Sequence, residues 1–294
     1  MSKSTIFTGS GVALVTPMHP DGSVNFEKYR ELIDWQIENG TDAIIACGTT
    51  GESATLNDEE HLETLQVAIE QTAGRVPLIA GTGSNNTDHA IMMSKEAAKM
   101  GADGLLLVTP YYNKTSQKGL VAHFSAIADA TDLPAILYNV PSRTGVNIQP
   151  ATVAEIYRHP NVAAIKEASG DLSAVAKIRA LCDIDVYSGN DDQTVPFLSL
   201  GAKGVISVLA DVAPRQTHEI CQRWFDGDIA GSTALFFEYL DLANDLFLDV
   251  NPIPVKEALN QMGWEVGPCR LPLVDMGEGA KAKLAATLKA HGLI

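Results

Sequence analysis

The sequence predicts an α/β fold of the (β/α)8, or TIM, barrel class, followed by a helical C-terminal extension. Three observations predict it. Eight short aliphatic or β-branched runs recur between residues 11 and 211. They are continuous rather than alternating, the pattern of strands covered on both faces and hence of a parallel sheet. The segments between them carry helical periodicity, and several close on glycine, as helix C-caps do. Eight such βα units fit a closed barrel better than an open doubly wound sheet.

The elements follow in order. GVALVTP (11–17) is the first strand and FEKYRELIDWQIENG (26–40) the first helix. DAIIACG (42–48), EEHLETLQVAIEQTAG (59–74), VPLIAGTG (76–83) and DHAIMMSKEAAKMG (88–101) repeat the alternation. GLLLVTP (104–110), PAILYNVP (134–141), VAAIKEASG (162–170), IDVYSGND (184–191) and GVISVLAD (204–211) complete the eight strands. Beyond Gly227 the strands stop. GSTALFFEYLDLANDLFLDV (231–250), NPIPVKEALNQMG (251–263) and GEGAKAKLAATLKAHGLI (277–294) read as helices. The expected division is a catalytic barrel over 1–225 and a helical extension over 226–294.

The formal charge of −15 repels nucleic acid and anionic membranes, so neither is an expected partner; a local cation is needed wherever a small anion binds. No apolar stretch approaches the length of a membrane span and the N-terminus lacks a signal-peptide pattern, so a cytoplasmic protein is expected. Cys47, Cys182, Cys221 and Cys269 lie far apart without a CxxC pair, which predicts reduced thiols and no zinc site.

In such barrels the chemistry sits at the C-terminal strand ends, which here read CGTTGES, GTGSNN, TPYYN, YNVPSR, KEASG, SGNDD and SVLAD. Lys166 is the sharpest signal. Alternation puts Ala164, Lys166 and Ala168 on one face and Ile165 and Glu167 on the other. The small alanines leave room for the amine. Burial disfavours a charged ammonium, and a neutral amine attacks a carbonyl to form a Schiff base; the alternative is a lysine reaching to water at a strand end.

Tyr138 ends the neighbouring strand, where a phenol could move protons for that chemistry or simply fill the core. The GTTGES turn offers Thr49, Thr50 and backbone amides to a carboxylate, or is only a turn. It is no P-loop, and GTGSNN lacks the third glycine of a dinucleotide fingerprint. The acids of SGNDD stand where many barrels bind phosphate and argue against a phosphorylated substrate. Arg143, on the loop after the fifth strand, could fork onto a carboxylate or be a surface arginine. Tyr111 and Tyr112 point different ways and suit either catalysis or a subunit contact.

Taken in order and at barrel spacing, GTTGES, TPYYN, YNVPSRTG, IKEASG, SGND and GVISV resemble the dihydrodipicolinate synthase family, a branch of the pyruvate-dependent Schiff-base aldolases. The resemblance spans essentially the whole chain, NPIPVKEAL of the extension included. GTTGES in place of GSTGE, and the arginine of YNVPSRTG, resemble the synthase rather than the N-acetylneuraminate lyase branch.

The resemblance implies a lyase that condenses pyruvate with L-aspartate 4-semialdehyde, the committed step of the diaminopimelate route to lysine, without metal or organic cofactor. It implies that Lys166 forms the imine and that Tyr138 exchanges protons, linked through Thr49 to a Tyr112 supplied by a neighbouring subunit. It implies pyruvate contacts from Thr50 and the Ile206 backbone, a pocket wall at Gly189, and Arg143 as receiver of the second substrate's carboxylate. A homotetramer, a dimer of tight dimers, follows from the same resemblance. So does a feedback site for lysine at Ser53, Ala54, Asp58, His61, Asn85, His89 and Tyr111. There Asp58 and His89 replace the histidine and glutamate common in inhibited relatives, which implies weak or absent inhibition.

Overall fold

The computed structural model describes residues 3–294. Eight strands form a closed all-parallel barrel in chain order: β1 (Gly9–Ala13), β2 (Ala43–Ala46), β3 (Leu78–Gly81), β4 (Gly104–Val108), β5 (Ala135–Asn139), β6 (Val162–Glu167), β7 (Asp185–Ser188) and β8 (Gly204–Ser207). The helices between them are α1 (Phe26–Glu38), α2 (Asp58–Thr72), α3 (Thr87–Met100), α4 (Gln117–Ala128), α5 (Pro141–Thr144), α6 (Pro150–Ile156), α7 (Leu172–Leu181) and α8 (Thr194–Ser199). After β8 come α9 (Pro214–Phe225), α10 (Ile229–Glu238), α11 (Leu240–Asp245), α12 (Ile253–Gln261) and α13 (Glu278–Ala290). None of the described helices is long and apolar enough to cross a membrane.

The predicted runs overshoot the strands by two to four residues at their C-terminal ends, because Val15, Val140 and Val208 carry apolar side chains into buried loops at the mouth. α5 is a single helical turn where a loop was expected at PSRT. The apolar stretch 231–250 breaks at Tyr239, whose buried ring packs on His291 with centroids 4.6 Å apart, and ends as helix at Asp245.

Closure of the barrel depends on two glycines. Gly9 and Gly204 face each other across the β1–β8 seam, and a Cβ on Gly204 would lie 1.8 Å from the Gly9 carbonyl oxygen. Inside, Ala13, Ile45, Ile79, Leu106, Ile136 and Ala164 belong to one buried cluster, floored by Phe7 stacked on Tyr187 at 4.3 Å. A second cluster lies between strands and helices and runs without interruption into the extension, where Leu242, Val255, Leu259 and Leu284 are fully buried. The extension therefore shares the core of the barrel and cannot be removed without exposing it.

A buried ion pair pins the two together. The Lys256 ammonium on α12 donates to Glu52 Oε1 at 2.7 Å and to the carbonyls of Thr16 and Pro268. The other Glu52 oxygen accepts from the Arg270 backbone N–H, and the Arg270 guanidinium forks onto Glu60. Glu52 itself has φ +55°, in the left-handed region that few non-glycine residues occupy.

Candidate active site

The register of β5, β6 and β7 sets the geometry at the mouth. Ala135 pairs with Val162 but Ile136 with Ala164, so Ala163 is a bulge. Beyond it, Ala164 and Lys166 turn inward beside Ile136 and Tyr138, while Val162 and Ile165 face the helices. The alternation read from the sequence holds from Ala164 onward.

Lys166 and Tyr138 are register partners, 6% and 7% exposed, with the amine 4.5 Å from the phenol ring centroid. On its other side Lys166 pairs with Tyr187. The Tyr187 hydroxyl is committed to the Phe7 carbonyl at 2.6 Å, and burial pushes that phenol's pKa up. The Tyr138 hydroxyl has no hydrogen-bond partner among the described residues, so it is the phenol free to act on a bound molecule.

Both side chains line a cavity of about 220 Å³ together with Thr49, Thr50, Arg143 and Gly189. A Cβ on Gly189 would sit 3.1 Å from the Lys166 Cε and 2.6 Å from the Ala168 Cβ. Glycine is thus what leaves the lysine stem its channel. Arg143 is exposed, at the rim, and donates to the Asn251 carbonyl at 3.2 Å.

Ile206 has its side chain fully buried on the inner wall of β8, and Val208, just past the end of β8, lines the cavity. Tyr112 does not join the cavity. It is 91% exposed with φ +68°, on a loop tied to the β3 loop by Asn85 Nδ2 to the Tyr111 carbonyl (3.1 Å) and Asn113 Nδ2 to the Asn85 carbonyl (2.9 Å).

Three sets of contacts around the cavity could not be read from the sequence. Glu167, outward and 1% exposed, accepts from Asn139 Nδ2 and the Ser169 N–H, locking the ends of β5 and β6. Burial raises its pKa, against the pull of those donors. Asp191 accepts from the Val208 and Leu209 backbone N–H groups and the Ser207 hydroxyl. Its carboxylate thereby ties the loop after β7 to the chain just past β8, and burial raises its pKa too. Phe247 and Asn251 enter the cavity wall from the extension.

Among the remaining predicted residues, Asp58 and His89 form a pair at 2.9 Å, and His61 is buried with Nε2 2.9 Å from the Gly81 carbonyl. Burial lowers the His61 pKa. Ser53 and Ala54 open a short 3-10 turn. In GTGSNN, Asn86 caps α3, a structural use of that loop. Among the described residues no group of three or more His, Cys, Asp or Glu side chains is placed to hold a metal ion.

A closed parallel barrel with a buried lysine and a phenol lacking a hydrogen-bond partner side by side on the wall of one small cavity has the arrangement of an enzyme, suited to work on carbonyl compounds. The chain belongs to the dihydrodipicolinate synthetase family, whose model matches residues 6–291. It is 57% identical to the 4-hydroxy-tetrahydrodipicolinate synthase of Lachnoclostridium phytofermentans, over 98% of this chain and 99% of that one. Among solved structures it is similar to the chloride-inhibited dihydrodipicolinate synthase of Acinetobacter baumannii complexed with pyruvate, at 45% identity and TM-score 0.96, covering 99% and 100% of the two chains. The enzyme of Cyanidioschyzon merolae with lysine bound is 43% identical, with TM-score 0.96 and the same coverage.

Proposed function

We propose that this chain condenses pyruvate with L-aspartate 4-semialdehyde to give 4-hydroxy-tetrahydrodipicolinate through a Schiff base on Lys166. The observation that carries the reading is the Lys166 amine, buried inside the barrel 4.5 Å from the Tyr138 ring and facing the cavity. The amine adds to C2 of pyruvate, water leaves, and an imine forms. Loss of a methyl proton gives the enamine, whose carbon attacks the aldehyde. The amine of the second substrate then displaces Lys166 as the ring closes. Tyr138 donates and accepts the protons of these steps, through Thr49, at the same cavity.

Thr50 and backbone N–H groups hold the pyruvate carboxylate, and Arg143, a cation at the rim of a strongly acidic protein, receives the carboxylate of the second substrate. A cytoplasmic place in lysine biosynthesis follows from this activity. The direct test is turnover. A coupled assay with both substrates should show sustained condensation and no cleavage of sialic or 2-keto-3-deoxy sugar acids; the reverse pattern would make the chain a lyase of sugar acids.

A tetramer built from tight dimers completes the proposal. Tyr112, exposed and held at an unusual φ, suits insertion into a neighbouring subunit, where it would join Thr49 and Tyr138. Sedimentation velocity should give a tetramer at assay concentrations; a fully active monomer would contradict the shared tyrosine. Inhibition by lysine should be weak, because the Asp58 carboxylate is already engaged by His89 and His89 supplies no anion for an ammonium group. Isothermal titration should detect no micromolar lysine binding, and micromolar binding would contradict this.

A further inference from the structure

We infer that Asn251, from the extension, is a positioning residue that aims the Thr50 hydroxyl proton at the substrate carboxylate. The inference rests on the activity proposed above and adds a residue to it. Asn251 is 5% exposed and Thr50 2%, and both lie on the cavity wall. The Asn251 Nδ2 donates to Thr50 Oγ1 at 3.0 Å. A hydroxyl has one proton to give and two lone pairs to receive with. With an N–H directed at its oxygen, and no acceptor for its own proton among the described residues, Thr50 is left as a donor toward the cavity.

The other half of the amide supports a role beyond packing. The Asn251 Oδ1 is buried and meets no donor among the described residues, a desolvation cost that an apolar side chain of similar size would avoid. The Asn251 main-chain carbonyl also accepts from Arg143. One residue of the extension therefore touches both groups assigned to substrate carboxylates. Aspartate in its place has only acceptors when ionised. It would take the Thr50 proton for itself and put a negative charge beside the bound anion.

The test measures borohydride trapping of pyruvate, as a function of pyruvate concentration, together with steady-state kinetics, on the full-length enzyme and on Asn251→Asp, Asn251→Leu, Thr50→Val and the two double variants. Asn251→Asp should raise the half-saturating pyruvate concentration about 10- to 100-fold, the size of a lost hydrogen bond to a charged group, with the change falling mainly on KM rather than kcat. Asn251→Leu should raise it less. In the Thr50→Val background Asn251→Leu should add nothing to the defect, and Asn251→Asp should add only the smaller cost of its charge beside the anion. Equal effects in both backgrounds, an unchanged half-saturation, or a failure of both Asn251 variants to fold would reduce Asn251 to a structural residue and overturn the inference. If the wild type traps no pyruvate, it is the Schiff-base reading that fails.

Discussion

Lys166→Ala should lower kcat/KM about a thousandfold, because it removes the covalent route and leaves only substrate positioning by the rest of the cavity. The effect should fall on kcat. Lys166 is not placed as a carboxylate contact, whereas Thr50 and Arg143 are, so pyruvate should still enter the site. The substitution leaves a void at the C-terminal end of β6 beside Ala168 and Gly189, away from the packed layer between strands and helices, and should cost little stability. Steady-state kinetics with a melting curve check both halves. Retention of most activity by a folded Lys166→Ala would remove the amine from the mechanism.

The largest effect on stability is expected at Lys256. Lys256 is 1% exposed, and its ammonium donates to Glu52, the Thr16 carbonyl and the Pro268 carbonyl. Lys256→Met keeps most of the volume but leaves the Glu52 carboxylate buried without its cation. Breaking such a pair from one side costs about 3–5 kcal/mol, far more than the pair contributes relative to an apolar replacement of both members. A fall in Tm of roughly 10 °C follows for a chain of this size. Glu52→Gln with Lys256→Met should recover part of the loss, since no unpaired charge then remains. Differential scanning calorimetry checks the order, and a double variant less stable than Lys256→Met would contradict the buried-charge explanation.

This pair also shows which parts of the protein could be read from the chain alone. Strands and helices announce themselves by local period, and strand alternation with two small alanines on its face suggested the inward side of Lys166, with a lysine reaching to water as the alternative. The Ala163 bulge was invisible because it exists only relative to β5. Lys256 and Glu52 are 204 residues apart, and Asn251 and Thr50 are 201 apart. Nothing in NPIPVKEAL says which strand end it will cover, so the motif could be matched to a family but not to a contact.

Asp191 is a related case. Its position after the seventh strand argued against a phosphate from charge alone, whereas the folded chain adds that this carboxylate is committed to the Val208 and Leu209 backbone N–H groups. Tyr112 is a different case: the resemblance assigns it to a neighbouring subunit's site, and in the single chain it stands 91% exposed and apart from the cavity.

The most direct measurement is reduction with borohydride in the presence of pyruvate, followed by intact mass and peptide mapping. One reduced pyruvate per chain is expected, on the peptide containing Lys166, and none on Lys166→Ala. Absence of the adduct from the wild type, or its presence on another lysine, would contradict the Schiff-base mechanism.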